Sequence, residues 1–204
     1  LKDDMNRFST NGALASASKF ANKPVVDMWA QLFLDCFKVE FPELIIKQPK
    51  SNLQTILEVP VAYAYKSKSM LRTLVESGFD FFNLRFVKLF ERFAVRLSFR
   101  PDPYDIYKSW IALHQKTNIP TKVMFMFAQP SAHDRNISIF KHRFLEKIKD
   151  VADYVSTSLL ASYQSTDQPQ LLQIEVNRLS EIIHHPLKDI RQYLVRLRFP
   201  TTYD

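Results

Sequence analysis

Thr55-Ile-Leu-Glu-Val-Pro-Val-Ala-Tyr-Ala-Tyr-Lys66 decides how the rest of the chain is read, because its β-branched and aromatic residues mark a strand over 55–65. Two residues interrupt it. Glu58 brings in a carboxylate, and Pro60 brings a residue without an N–H to a place where a central strand needs a donor.

Outward from that strand the punctuation is proline, since the 204 residues include eleven Pro and only two Gly. Upstream, residues 1–23 are polar and irregular, and Asn22 and Pro24 open an amphipathic helix with Val25, Trp29, Leu32, Phe33 and Cys36 on one face. This helix ends before Pro42, and 47–52 is a loop into the strand. Downstream, Met70, Leu71, Leu74 and Val75 predict a helix stopped at Gly78. A long helix over 80–99 follows, with Phe82, Phe86, Leu89, Phe90, Phe93 and Leu97 as its buried side. Asp102 and Pro103 predict the next helix start, with Asp105 as the capping-box partner.

Lys122-Val-Met-Phe-Met-Phe-Ala128 is continuously apolar, the pattern of a strand covered on both faces. A polar loop at 131–138, a helix marked by Phe140, Phe144, Ile148 and Val151, and a strand at 154–160 come next. Asp167 and Pro169 open a helix with Leu172, Val176, Leu179 and Ile183, and 190–197 reads as a last strand. Strands alternating with helices predict an α/β fold with a parallel sheet, open or closed into a barrel, and ligand loops at the carboxyl ends of the strands. There are too few strands for an eight-fold barrel.

Composition narrows the classes further. The single cysteine, Cys36, excludes an internal disulfide framework, and its helical position predicts a buried, inert thiol in a reducing, cytoplasmic setting. No apolar run reaches the roughly 20 residues of a membrane span, and no signal peptide opens the chain. Leu1 precedes the first methionine, Met5, which leads us to expect an excised fragment. The 28 Lys and Arg against 21 Asp and Glu give a formal charge of +7, which would assist binding to an anionic polymer or surface but selects no partner. Nucleic acid is not expected.

Five segments in order carry a resemblance: Glu58-Val-Pro-Val-Ala-Tyr-Ala-Tyr-Lys66, Asp102-Pro-Tyr-Asp105, His133-Asp-Arg-Asn-Ile-Ser138, Ser162-Tyr-Gln-Ser165, and Arg191-Gln-Tyr193 followed by Phe199-Pro200. Over residues 24–204 the chain resembles the polysaccharide deacetylases of the NodB-homology type, in a bacterial branch with an extra N-terminal region. The resemblance implies a helical extension at 1–53 and a partial or distorted (β/α) barrel at 54–204, cut short at its C-terminus. It also implies a role in carbohydrate metabolism, which in the family is metal-dependent removal of acetyl groups.

Carried over residue by residue, that machinery is degenerate. Glu58 and Pro60 occupy the two carboxylate positions of the first motif, Leu160 and Gln164 the ligand positions of the second, and Tyr193 the histidine position of the last. Proline and leucine offer a metal no lone pair. The implied protein is a metal-less pseudoenzyme with no cofactor that binds or scaffolds a carbohydrate. Its pocket would be lined by Tyr63, Tyr65, His133, Asp134, Arg135, Tyr163 and Arg191. Two other readings stay open: an active deacetylase using Glu58 with His133 and Asp134 as nonstandard ligands, and a basic module binding an anionic polymer through Arg85, Lys88, Arg92 and Arg96. His184 and His185, adjacent at a helix end before Pro186, read as capping or surface residues, and His114 and His142 as ordinary helix residues. Neither a Gly-x-Ser-x-Gly elbow nor a phosphate-cradling glycine loop is present.

Overall fold

The computed structural model describes residues 2–4, 7, 9–43, 45, 51–66 and 68–197. The expected loop at 47–52 is described only for residues 51 and 52, and Phe199-Pro200 lies outside the described residues. The chain divides into two compact units, 1–52 and 53–204.

In the first unit the lead-in is partly helical, with a single 3₁₀ turn at Thr10–Gly12 and a short helix α1 at Leu14–Ala17. The amphipathic helix α2 spans Val25–Glu40, but none of its residues is buried. Cys36 is exposed, contrary to the expected buried thiol.

The second unit is a mixed α/β fold. Its elements are β1 (Thr55–Val59), α3 (Met70–Phe82), α4 (Phe86–Arg96), α5 (Tyr107–Thr117), β2 (Thr121–Met126), α6 (His142–Ala152), β3 (Ser156–Ala161), α7 (Pro169–Ile183) and β4 (Ile190–Gln192). All four strands are parallel, and the sheet order is β1-β2-β3-β4. Each strand lies beside its successor, which curls the sheet into a half-barrel, since a doubly wound sheet would reverse its order.

Packing follows the period-2 alternation of strands. Val59, Val123, Phe125, Leu159 and Ala161 meet Tyr107 of α5, Phe144 and Ile148 of α6, and Leu179 of α7 in the main core. Met124, Met126 and Leu160 face the other way and form a smaller cluster with Ala128, against which Tyr193 packs. β2 is thus covered on both sides, which is why its sequence is continuously apolar.

Several expected boundaries shift for identifiable reasons. β1 stops at Val59, paired with Phe125, one residue before Pro60 would have to donate to the ladder. Gly78 lies inside α3 with no atom close to where a Cβ would stand. The long helix expected over 80–99 is broken at Leu84, whose φ is 56°. The last strand is cut to Ile190–Gln192 by a 3₁₀ turn over Tyr193–Val195, where Leu194 has φ 58°. Asp102 caps no helix, because α5 begins five residues later.

The expected buried side of the 80–99 helix is exposed instead: Phe82, at the end of α3, at 85 % and Phe90 of α4 at 74 % stand in solvent. A polar seam takes the inside. Thr73, Ser77 and Asp80 of α3 are buried, as are Arg92 and Val95 of α4. Arg92 bridges Asp80 and Glu76 at 2.5 Å each. Arg72 and Lys68 also pair with Glu76, and Arg96 bonds the Thr73 hydroxyl. Burial opposes ionisation of Glu76, but hydrogen bonds from Arg72 and Arg92 outweigh it and hold the carboxyl below its ordinary range.

Removing the guanidinium would leave Asp80 buried without its partner. Arg92→Ala is therefore expected to lower unfolding stability by about 3 kcal/mol, read by chemical denaturation. A loss under a few tenths would mean the seam is not what holds α4 against α3.

Candidate functional site

Beyond β1 the backbone runs irregularly over 60–66, so its donors need acceptors outside the sheet. The buried Asp102 carboxylate supplies most of them, accepting from Ala64 N at 2.8 Å and from Tyr65 N and Lys66 N at 2.9 Å. Asn136 supplies another, its Oδ1 accepting from Ala62 N at 3.0 Å while its Nδ2 donates to the Met126 carbonyl at 2.7 Å. The loops after β1 and β2 are thereby locked to each other at the carboxyl edge of the sheet.

On the concave face, Glu58 of β1 meets Arg191 of β4 with Oε1 and Nε 2.5 Å apart. The pair joins the first and last strands over β2 and β3, which only a curled sheet permits. Leu160 stands in register with Arg191 and with Met126, and Tyr193 packs onto this apolar layer. One layer further from the carboxyl edge, Lys122 pairs with Asp189. Glu58, Leu160, Arg191 and Tyr193 are therefore brought together. Pro60 lies beside them at the end of β1 and lines a cleft of about 320 Å³ with Glu58, Pro103, Tyr104 and Tyr107.

The loops after β2 and β3 form a second cluster. Asp134 is buried, and its two oxygens accept from Tyr163 N at 2.8 Å and from the Ser131 hydroxyl at 2.9 Å. His133 stacks on the Tyr163 ring with centroids 4.1 Å apart, and the Arg196 guanidinium lies 4.4 Å from the same ring. Arg196 also pairs with Asp167 at 2.6 Å. Gln192 Nε2 donates to the Ser162 carbonyl at 2.9 Å. Gln164 is separate from Leu160 and Tyr193: it lines a pocket of about 210 Å³ with Gln129, Asp134, Ser162, Glu175 and Arg178.

The other expected pocket residues divide. Tyr63 is 1 % exposed and belongs to the core under the sheet, so it is no pocket mouth; burial foremost, with Asp105 nearby, pushes its phenol up to about 12. Tyr65 turns into the α3–α4 seam, donating to Glu91 at 3.2 Å beneath Arg92. Arg135 is exposed. Arg92 and Arg96 face inward, so the basic stripe is reduced to Arg85 and Lys88. His184 sits in the left-handed position that ends α7, His142 pairs with Glu146 in solvent, and His114 Nδ1 lies 2.8 Å from the Ile119 carbonyl.

Glu175 was missed in the sequence. It is 2 % exposed, accepts from Ser162 N at 3.1 Å, and keeps its other oxygen without a partner. The available signal was its position on the stripe of Leu172, Val176 and Leu179, where a carboxylate is out of place. Burial raises its pKa above the ordinary 4.5, against the lowering effect of the Ser162 hydrogen bonds.

The donor chemistry does not suit the divalent metal that a resemblance to the deacetylases would imply. Among the described residues no group of three or more His, Cys, Asp or Glu side chains converges on a point that a metal could occupy. Glu58 is engaged by Arg191, and both Asp134 oxygens accept hydrogen bonds. No family model, curated protein or solved structure matches the chain.

Two variants probe this architecture. A raised carboxyl pKa contributes stability that is fully present below the unfolded value and is lost as pH rises through the folded one. Glu175→Gln should flatten the decline in unfolding free energy above pH 4.5 relative to the parent, measured by denaturant titration across pH. Asp102→Ala should cost roughly 3 kcal/mol and expose the amides of residues 64–66 to hydrogen exchange, since three donors lose their acceptor.

Proposed function

We propose that residues 53–204 are a polysaccharide deacetylase-like domain that binds carbohydrate and has given up the metal-dependent hydrolysis of acetyl groups. The observation that carries this reading is the Glu58–Arg191 pair set against Leu160 and Tyr193. At the positions where the resemblance calls for a base and metal ligands, a carboxylate neutralised by a guanidinium stands next to an apolar layer.

Sugar binding is supported by the cleft beside Pro60, where Tyr104 offers aromatic surface and Glu58 a hydrogen-bond acceptor. Tyr104 is half exposed and able to stack on a ring, whereas Tyr107 is buried and donates to the Ala62 carbonyl at 3.1 Å.

The test combines three measurements on the intact chain. Metal analysis after zinc or nickel loading should find no stoichiometric ion, and N-acetylglucosamine oligomers should release no acetate. The same oligomers should bind by calorimetry, and Tyr104→Ala should weaken that binding roughly tenfold, the loss of one stacking contact. One bound zinc or nickel per chain, or acetate release abolished by Glu58→Gln, would overturn the pseudoenzyme reading. Absence of any oligosaccharide binding would overturn the carbohydrate reading.

A further inference from the structure

The α3–α4 hairpin is turned against the usual amphipathic order, with its charges in the seam and its aromatic residues outside. Phe79, Phe82, Leu84, Val87, Phe90 and Leu97 are each at least 65 % exposed. The ion pairs of Arg92 with Glu76 and Asp80 fix this orientation, so exposure of the apolar face follows from how the hairpin is built. Apolar surface left in water forfeits about 25 cal/mol per Å², and a continuous exposed patch marks an interaction surface.

The charges around that face identify what it meets. All three acidic residues of the hairpin are engaged: Glu76 and Asp80 with Arg92, and Glu91 as acceptor of the Tyr65 hydroxyl. Arg72 pairs with Glu76, and Arg96 is held at Thr73. The charged side chains left exposed are Arg85 in the connection, Lys88 in the first turn of α4, and Arg100 just beyond its end, all cationic. An apolar, phenylalanine-rich face whose exposed charged neighbours in the chain are all cations is the pattern of helices that lie in the headgroup layer of an anionic bilayer. A protein partner would more commonly be met by a rim of both signs.

Length fits the same occupant. The helices have 13 and 11 residues, roughly 20 and 17 Å, against a hydrocarbon core of about 30 Å. They are too short to cross, and no described helix is long and apolar enough to do so. They are long enough to lie in the interface.

We propose that the outer face of the α3–α4 hairpin docks this chain onto an anionic lipid surface, with Phe82, Val87 and Phe90 inserted and Arg85, Lys88 and Arg100 at the headgroups. This surface is independent of the carbohydrate reading.

Co-sedimentation of the full chain with vesicles tests it. The chain should bind phosphatidylcholine vesicles containing a minority of phosphatidylglycerol, bind pure phosphatidylcholine far less, and dissociate as salt is raised. The double change Phe82→Ser with Phe90→Ser should abolish binding while the circular dichroism melt is unchanged, since both side chains already stand in solvent. Arg85→Ala with Lys88→Ala should weaken it by roughly an order of magnitude. No binding to the anionic vesicles, or equal binding by the double serine variant, would overturn the proposal. Self-association that the serine changes remove, without vesicle binding, would overturn it in favour of a second copy of the chain.

Discussion

An N–H that leaves a sheet ladder needs a new acceptor, and this chain meets that demand at once after Pro60. The ladder ends at Val59, Pro60 has no N–H, and the residues from Val61 to Lys66 carry donors outside the ladder. Asp102 and Asn136, from different stretches of the chain, take those of Ala62, Ala64, Tyr65 and Lys66. Because Asn136 also holds the Met126 carbonyl, the exits of β1 and β2 cannot move independently. The carboxyl edge of the half-barrel, where ligand loops gather in such folds, is built on these few side-chain-to-backbone bonds.

Charge then sets the character of the concave face. Glu58 and Arg191 neutralise one another across the curl, and Lys122 with Asp189 do the same one layer away. Between the pairs lie methionines, Leu160 and Tyr193. A face of this kind is well packed and poor in free lone pairs. Asp134, the loop aspartate read as a nonstandard ligand, is committed to Ser131 and to the Tyr163 amide.

Much of the second unit was legible. Continuous apolarity from Val123 to Ala128 announced a strand covered on both faces, and Phe144, Ile148 and Val151 at helical spacing announced the face α6 buries. Glu58, Leu160 and Tyr193, more than a hundred residues apart at the extremes, meet around Arg191. Gln164 and Tyr63 do not join them, because a strand end fixes the direction of its own side chains but not of those several residues into the following loop. Asp102 was read as a helix cap because the local pattern suited one; its carboxylate instead serves an amide run some forty residues earlier, which no local pattern records.

The sequence by itself determined the alternation of strands and helices and which residues share a face of each element, since these depend on backbone sterics and on periods of 2 and 3.6. Only the tertiary structure decided which face points in. On α4 both candidate faces were visible, one of phenylalanines and one of arginines, and the ordinary expectation buries the phenylalanines. The fold buries Arg92, because Glu76 and Asp80 on α3 are placed to satisfy both ends of its guanidinium. A charge that finds two partners can be taken out of water, and the apolar residues opposite are then left outside.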